Sequence, residues 1–501
     1  MSLALVHSRA KLGVQAPSVT VEVHLASGMP SLTLVGLPET AVRESKDRVR
    51  SALQNARLDF PSLKRITINL APADLPKEGG RFDLAIALGM LTASGQIPTD
   101  CLTDCECLGE LALSGELRPV QGVLPAALAC RDQGRKLILP RANAAEAALV
   151  RGLHIIAAEH LLELCEHLRG ERELAAVDSS AGPATAPITA DLADVQGQAQ
   201  AKRALIVAAS GGHNLLLFGP PGTGKTLLAS RLPGILPPLS EREALEVAAV
   251  QSVCASTPLT SWPIRPFRSP HHGASAAALV GGGSQPRPGE ISQAHQGVLF
   301  LDELPEFDRR VLEMLREPLE SGEIHIARAR EQLTFPARFQ LIAAMNPCPC
   351  GYQGDPSGRC RCTPEQIERY RGKLSGPLLD RIDLHLAMHN ESFSLAAPQP
   401  GRPTSEEAAG WIAAARDRQM TRQGRLNAHL DLTGLREHCA LEAADASWME
   451  QAIERLGLSH RASHRALKVA RSIADLAGEK RLARTHLAEA LQYRQLDRRS
   501  G

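Results

Sequence analysis

The stretch Leu215-Leu216-Leu217-Phe218-Gly219-Pro220-Pro221-Gly222-Thr223-Gly224-Lys225-Thr226 decides how the rest of the chain is read. Four apolar residues read as a buried strand, and the Leu-Leu-Ala-Ser-Arg-Leu that follows reads as a helix. A glycine-rich turn between them leaves successive backbone N–H groups free to cradle phosphate oxygens. In that pattern Lys225 reaches the β and γ phosphates, and the Thr226 hydroxyl ligates Mg²⁺. Gly219, Pro220, Pro221, Gly222, Thr223 and Gly224, with Lys225 and Thr226, are therefore the expected ATP-binding residues. An ordinary Gly/Pro turn would not require Lys-Thr at this spacing.

A phosphate cradle also needs an acid to hold the metal and a group to orient water. Val298-Leu299-Phe300-Leu301 reads as a second buried strand and ends in Asp302-Glu303. Asp302 is placed on Mg²⁺ and Glu303 as the base that polarises the attacking water. The other reading, a solvated pair capping a helix, leaves the four apolar residues before it unexplained. A third strand, Gln340 to Met345, ends in Asn346, whose neutral amide suits γ-phosphate sensing at a strand's carboxyl end.

Composition narrows the class. The 56 Lys and Arg against 55 Asp and Glu leave a net +1, so any attraction to nucleic acid has to come from local patches. Aromatic residues are 3% of the chain, too few for a broad stacking surface for single strands. No apolar run approaches the ~18 residues of a membrane span, and no secretory signal pattern opens the chain, so a soluble cytoplasmic protein with no membrane partner is expected. In that compartment the eleven cysteines read as thiols or metal ligands, not as a disulfide framework.

The three strands resemble the core of an AAA+ ATPase, an αβα P-loop module. The resemblance extends to Ser375-Gly-Pro-Leu-Leu-Asp-Arg381-Ile-Asp383, which is similar to the arginine-finger segment of the magnesium-chelatase and MCM kind. It implies that Arg381 completes the neighbouring subunit's site. Read alone, Arg381 is also compatible with a surface arginine paired with Asp380 or Asp383. Ser459-His-Arg461-Ala-Ser-His-Arg465 resembles the sensor 2 region, with Arg461 first and Arg465 second, and both are also compatible with a solvated helix face. Trp262 to Glu290, carrying Arg265 and Arg268, resembles a helix-2 insert. The alternating run around Arg328 and Arg330 resembles the pre-sensor-1 β-hairpin. Basic loops of this kind contact phosphates without reading sequence, although packing between subunits would use the same residues.

Two further features complete the reading. Residues 76–84, 108–120 and 138–143 resemble the Lon protease domain, a ribosomal S5 domain 2-like fold, but Arg81 and Ala126 stand where its Ser-Lys dyad would be. Neither can act as nucleophile or activator, so the fold is kept and the peptidase is not. Cys348, Cys350, Cys360 and Cys362 place four thiols as two Cys-x-Cys pairs just after Asn346. They suit Zn²⁺, at a tighter spacing than usual, or are four reduced thiols in a loop.

The expected fold is thus an α/β multidomain chain. A Lon-protease-like domain spans 1–170, a linker 171–190, a magnesium-chelatase-type AAA+ core 191–390, and a C-terminal helical lid 391–501. The order and combination of motifs resemble the ComM/YifB family of magnesium-chelatase-like AAA+ proteins. That resemblance implies a homo-hexameric, ATP- and Mg²⁺-dependent DNA motor that promotes branch migration or helicase action on single-stranded or branched DNA in natural transformation. The alternative is a magnesium-chelatase-like motor subunit serving a protein or metal-insertion partner.

Overall fold

The computed structural model describes residues 2–36, 39–177, 190–254, 262–283, 287–328, 331–356, 358–390, 403–494 and 496. Residues 178–189 of the expected linker, most of the Pro-rich break after residue 395, and Arg330 lie outside the described residues.

The amino-terminal part is a seven-stranded mixed sheet. Its strand order is Ser31–Val35, Arg65–Ala71, Ser18–Ala26, Ser2–Arg9, Cys105–Cys107, Lys136–Pro140, Ile155–Ala158. Ser18–Ala26 alternates strictly between buried and half-buried positions, the period-2 pattern of a strand with one covered face. Asp83–Ala93 covers that face and is apolar all round, so every one of its residues is buried. Gly89 lets the helix approach: a Cβ there would lie 2.6 Å from Val23 Cγ2.

The middle part is a five-stranded, wholly parallel sheet in the order Phe267–Arg268, Val298–Leu301, Gln340–Met345, Leu215–Phe218, Leu384–Ala387. Val298–Leu301 and Gln340–Met345 are buried throughout, as parallel strands covered on both faces are. One face packs on Ala199–Gly211 and on the C-terminal helices, through Leu215, Leu217, Phe300 and Ile342. The other face packs on the hairpin Glu323–Arg328/Glu331–Pro336, through Ile324, Ile326, Leu333 and Phe335. The β-hairpin read from the alternation is therefore present, with Arg328 paired to Glu331 at its end.

The C-terminal part is helical, and its helices Ser405–Gln423 and His460–Ala477 share one apolar core with the sheet. A buried carboxylate fastens them. Asp383 sits at the entry to the Leu384–Ala387 strand and receives Arg465 Nη1 at 2.6 Å and the Asn214 backbone N–H at 3.0 Å. The His213 ring lies 3.6 Å away. Burial alone would raise the Asp383 pKa, but Arg465 and His213 outweigh it and hold the carboxyl well below the usual carboxylate range.

The amino-terminal part is attached to the middle part by more than chain continuity. Val123, Leu124 and Ala127 form one apolar cluster with Leu245, Ala248 and Ala249 of the helix Glu241–Cys254. The Gly122 backbone N–H donates to the Ser252 carbonyl at 3.0 Å, and Leu124 N–H to the Ser252 hydroxyl at 3.3 Å.

Arg465→Ala would leave Asp383 charged and buried without its main partner, at a cost of about 3 kcal/mol, read as a lower urea midpoint. Because the folded pKa of Asp383 is depressed, this contribution is present above about pH 4 and disappears only as the pH falls through the depressed folded value. Wild type and Arg465→Ala should therefore differ at pH 7 and converge in strong acid.

Candidate nucleotide-binding site

Parallel register brings the motifs together. Phe218 lies opposite Met345, and Leu301 opposite Ala343, so three strands end side by side. Ligand sites in open α/β sheets form beyond such carboxyl ends. Here they frame a cleft of about 410 Å³ lined by residues 221–227, Asp302, Glu303, Met345 and Asn346. Gly222 and Gly224 have φ of 82° and 85°, which turns the chain sharply between strand and helix at little steric cost.

Lys225 Nζ donates to the Gly219 carbonyl at 2.7 Å, to the Pro220 carbonyl at 2.9 Å and to Asn346 Oδ1 at 3.3 Å. Burial lowers its pKa, and the Asp302 and Glu303 carboxylates oppose that. The Thr226 hydroxyl donates to Asp302 Oδ2 at 2.7 Å. Two hard oxygen donors thus converge at one edge of the cleft, the donor type that Mg²⁺ takes. Glu303 holds a left-handed backbone conformation, φ 52°, uncommon for a non-glycine residue and often found at functional positions. Its carboxylate faces His272 Nδ1 at 3.1 Å.

Lys225, Thr226, Asp302, Glu303 and Asn346 therefore meet in one place. Pro221, Gly222, Thr223 and Gly224 line the same cleft, whereas Arg381, Arg461 and Arg465 do not. Arg381 is buried: Nη1 donates to the Pro377 carbonyl at 2.7 Å, and Nη2 pairs with Glu320. Arg461 is exposed in the first turn of His460–Ala477, while Arg465 is taken by Asp383.

Arg265 and Arg268, the DNA-contact candidates of the insert, both have partners within the chain. Arg265 is directed inward, donating to the Pro237 carbonyl at 2.6 Å and the Gln296 carbonyl at 2.7 Å. Arg268 lies on the edge strand of the core and forks onto both oxygens of Glu290 at 2.6 Å. Their donors hold the insert to the core, and charge counting along the sequence had no means of seeing the carbonyls that receive them.

His272 lies within the Trp262–Glu290 insert, and nothing in its local sequence marks it as a partner of Glu303. It reaches Glu303 because Phe267–Arg268 runs beside Val298–Leu301, a strand adjacency that no local pattern encodes. The four cysteines do converge: Cys348, Cys350, Cys360 and Cys362 place their sulfurs within 4.8 Å of one another, a group able to hold a metal ion.

Known proteins are similar along the whole chain. The family model described as magnesium chelatase, subunit ChlI, matches residues 191–395, that for subunit ChlI of Mg-chelatase matches 21–143, and that for the ChlI C-terminal part matches 402–494. The chain is 54% identical over 512 residues to "Uncharacterized protein YifB" of Salmonella typhimurium, covering 99% of this chain and 98% of that one. It is 53% identical over 505 residues to "Competence protein ComM" of Haemophilus influenzae, with the same coverage. The chain belongs to the ComM/YifB family. Members of this magnesium-chelatase-like AAA+ family are only partly matched by chelatase subunits: the "Magnesium-chelatase 38 kDa subunit" of Cereibacter sphaeroides is 27% identical over 30% of this chain and 51% of its own length.

If Lys225 supplies the charge-assisted contact to phosphate, Lys225→Ala should weaken binding of a fluorescent ATP analogue by about 10- to 100-fold. Affinity within twofold of wild type would remove Lys225 from that role.

Proposed function

We propose that this chain is an ATP-hydrolysing DNA motor that works in the cytoplasm as a homo-hexamer and promotes branch migration while incoming DNA is recombined in natural transformation. The near-full-length identity to a protein named for competence carries the DNA half of this reading. The assembled cleft supports the ATPase half. Among the described residues no helix is long and apolar enough to cross a membrane.

The residues divide the work. Backbone N–H groups of Gly222, Thr223 and Gly224 cradle the phosphates, and Lys225 exchanges the Gly219 and Pro220 carbonyls for phosphate oxygens. Thr226 and Asp302 hold Mg²⁺, which when bound neutralises phosphate charge. Glu303 orients the attacking water and takes its proton, once its carboxylate is released from His272. Asn346, already joined to Lys225, places the γ-phosphate. Arg381 acts in trans on the neighbour's nucleotide, and Arg461, with Arg465 as second choice, senses nucleotide from the lid.

Arg381 gives the motor its link to DNA. Its partner Glu320 lies in Pro318–Ser321, directly before the hairpin strand Glu323–Arg328. Drawing Arg381 toward a neighbour's nucleotide therefore pulls on the hairpin root, and the hairpin's cations move with a strand's phosphates.

In the same reading the amino-terminal domain is Lon-protease-like but inert as a peptidase, with Arg81 and Ala126 both buried at the dyad positions. Zn²⁺ is the metal assigned to the four thiols. A chelatase-like motor subunit is the second reading. It is favoured by the family descriptions and weakened by the short stretch that the Cereibacter subunit covers.

Glu303→Gln should keep ATP bound while hydrolysis drops by about 10²-fold or more. Hydrolysis near the wild-type rate would exclude Glu303 as base. Arg381→Ala should be inactive alone and regain activity when mixed with Glu303→Gln, since an intact finger then faces an intact base; additive inactivity would refute a trans finger. Wild-type hydrolysis should be stimulated by a four-way junction, and indifference to single strands, duplex and junction alike would favour the chelatase-like reading.

A further inference from the structure

The four cysteines lie closer to the chemistry than a peripheral zinc knuckle would. Asn346 ends its strand, Pro347 follows, and Cys348 is buried immediately after. The turn that closes the first Cys pair is Gly351, with φ of 85°. A Cβ on Gly351 would stand 2.9 Å from Pro221 Cδ and 3.8 Å from Asn346 Cγ. The cysteine loop therefore rests on the phosphate-binding loop and on the sensor amide at once.

The sulfur geometry fits a metal better than a disulfide. Cys348 Sγ is 3.4 Å from Cys350 Sγ and 3.8 Å from Cys360 Sγ, and Cys350 to Cys360 is 3.7 Å. Four thiolates at about 2.3 Å from a tetrahedral Zn²⁺ stand about 3.8 Å apart, whereas a disulfide requires about 2.05 Å. With all four positions filled by protein, a metal here has no site for water or substrate and is structural.

The far end of the loop is anchored as well. Cys362 is followed by Thr363, which caps the helix Pro364–Arg371 with a reciprocal Gln366 contact. From that helix Arg371 returns to the loop, with Nε donating to the Pro347 carbonyl at 3.3 Å and Nη2 to Gln353 Oε1 at 2.9 Å. The Tyr370 hydroxyl lies close enough to the Asn346 backbone N–H to be influenced by it. Helix, thiols and strand end thus enclose the one residue that joins Lys225 to the γ-phosphate position.

We infer that Zn²⁺ on Cys348, Cys350, Cys360 and Cys362 clamps the sensor loop, fixing Asn346 and seating Gly351 against Pro221, so that ATP turnover depends on the metal. This rests on the zinc reading of the four thiols. Cys348, Cys350, Cys360 and Cys362 are its ligands. Gly351 and Arg371 are positioning residues that act through Asn346. Nucleotide binding by the backbone cradle is left largely intact when the clamp is lost, because the cradle does not include the thiols, whereas the placement of Asn346 is not.

The test uses the full-length protein. Metal analysis of protein purified without added metal should find ~1 zinc per chain; its absence, with four titratable thiols, overturns the zinc reading and the clamp with it. Displacing zinc with a mercurial, followed by dithiothreitol and a chelator, should lower kcat at least tenfold, with affinity for a fluorescent ATP analogue within about threefold, and zinc should restore kcat. Cys360→Ser/Cys362→Ser should reproduce the loss of both zinc and turnover. Gly351→Ala guards against a trivial folding defect: it keeps all four thiols, should retain zinc and a wild-type circular dichroism spectrum, and should still lose turnover. Zinc bound stoichiometrically but removable without change in kcat, or Gly351→Ala at the wild-type rate, would overturn the clamp while leaving the metal site standing.

Discussion

Parallel pairing of Leu215–Phe218 with Gln340–Met345 is the constraint on which the site depends. It sets the loop 219–226 beside Asn346, because both emerge from the same end of the sheet. The register of Val298–Leu301 against Gln340–Met345 then adds the two carboxylates. One slipped residue in either ladder would reverse the faces of the strand and part Lys225 from Asn346. That the strands are saturated with Leu, Ile, Ala and Val follows: a sheet covered on both faces is held in register by burial and by its backbone bonds.

The opposite end of the sheet is tied by polar groups. Asn214 bridges three strands there, donating from its backbone to Asp383, donating from Nδ2 to the Arg381 carbonyl at 2.9 Å, and accepting the Leu341 N–H at 2.9 Å. Asp383 extends the tie to Arg465 and so to the C-terminal helices. Arg381 and Arg465 therefore lie on either side of one buried carboxylate network.

Much of this was legible in the sequence where chemistry is local. Gly222, Gly224, Lys225 and Thr226 are consecutive in a turn whose backbone demands declare themselves, and Asp302-Glu303 and Asn346 each terminate an apolar run. The alternating strands Ser18–Ala26, Ser31–Val35 and Arg65–Ala71 carry the same kind of local signal. What was illegible depends on partners distant in the chain. Arg265 and Arg268 read as a basic patch because the Gln296 carbonyl and Glu290 that neutralise them are separated from them by the insert itself. His272 meets Glu303 only through strand adjacency, and the contact of Gly351 with Pro221 spans two motifs that were read independently.

The apolar seam between Val123–Asp132 and Glu241–Cys254 has a mechanical meaning. A seven-stranded sheet bolted to the ATPase part by interdigitated side chains behaves as an outrigger, not as a pendant on a string. Any tilt of the helix Glu241–Cys254 is magnified at the outrigger's far rim in proportion to its span.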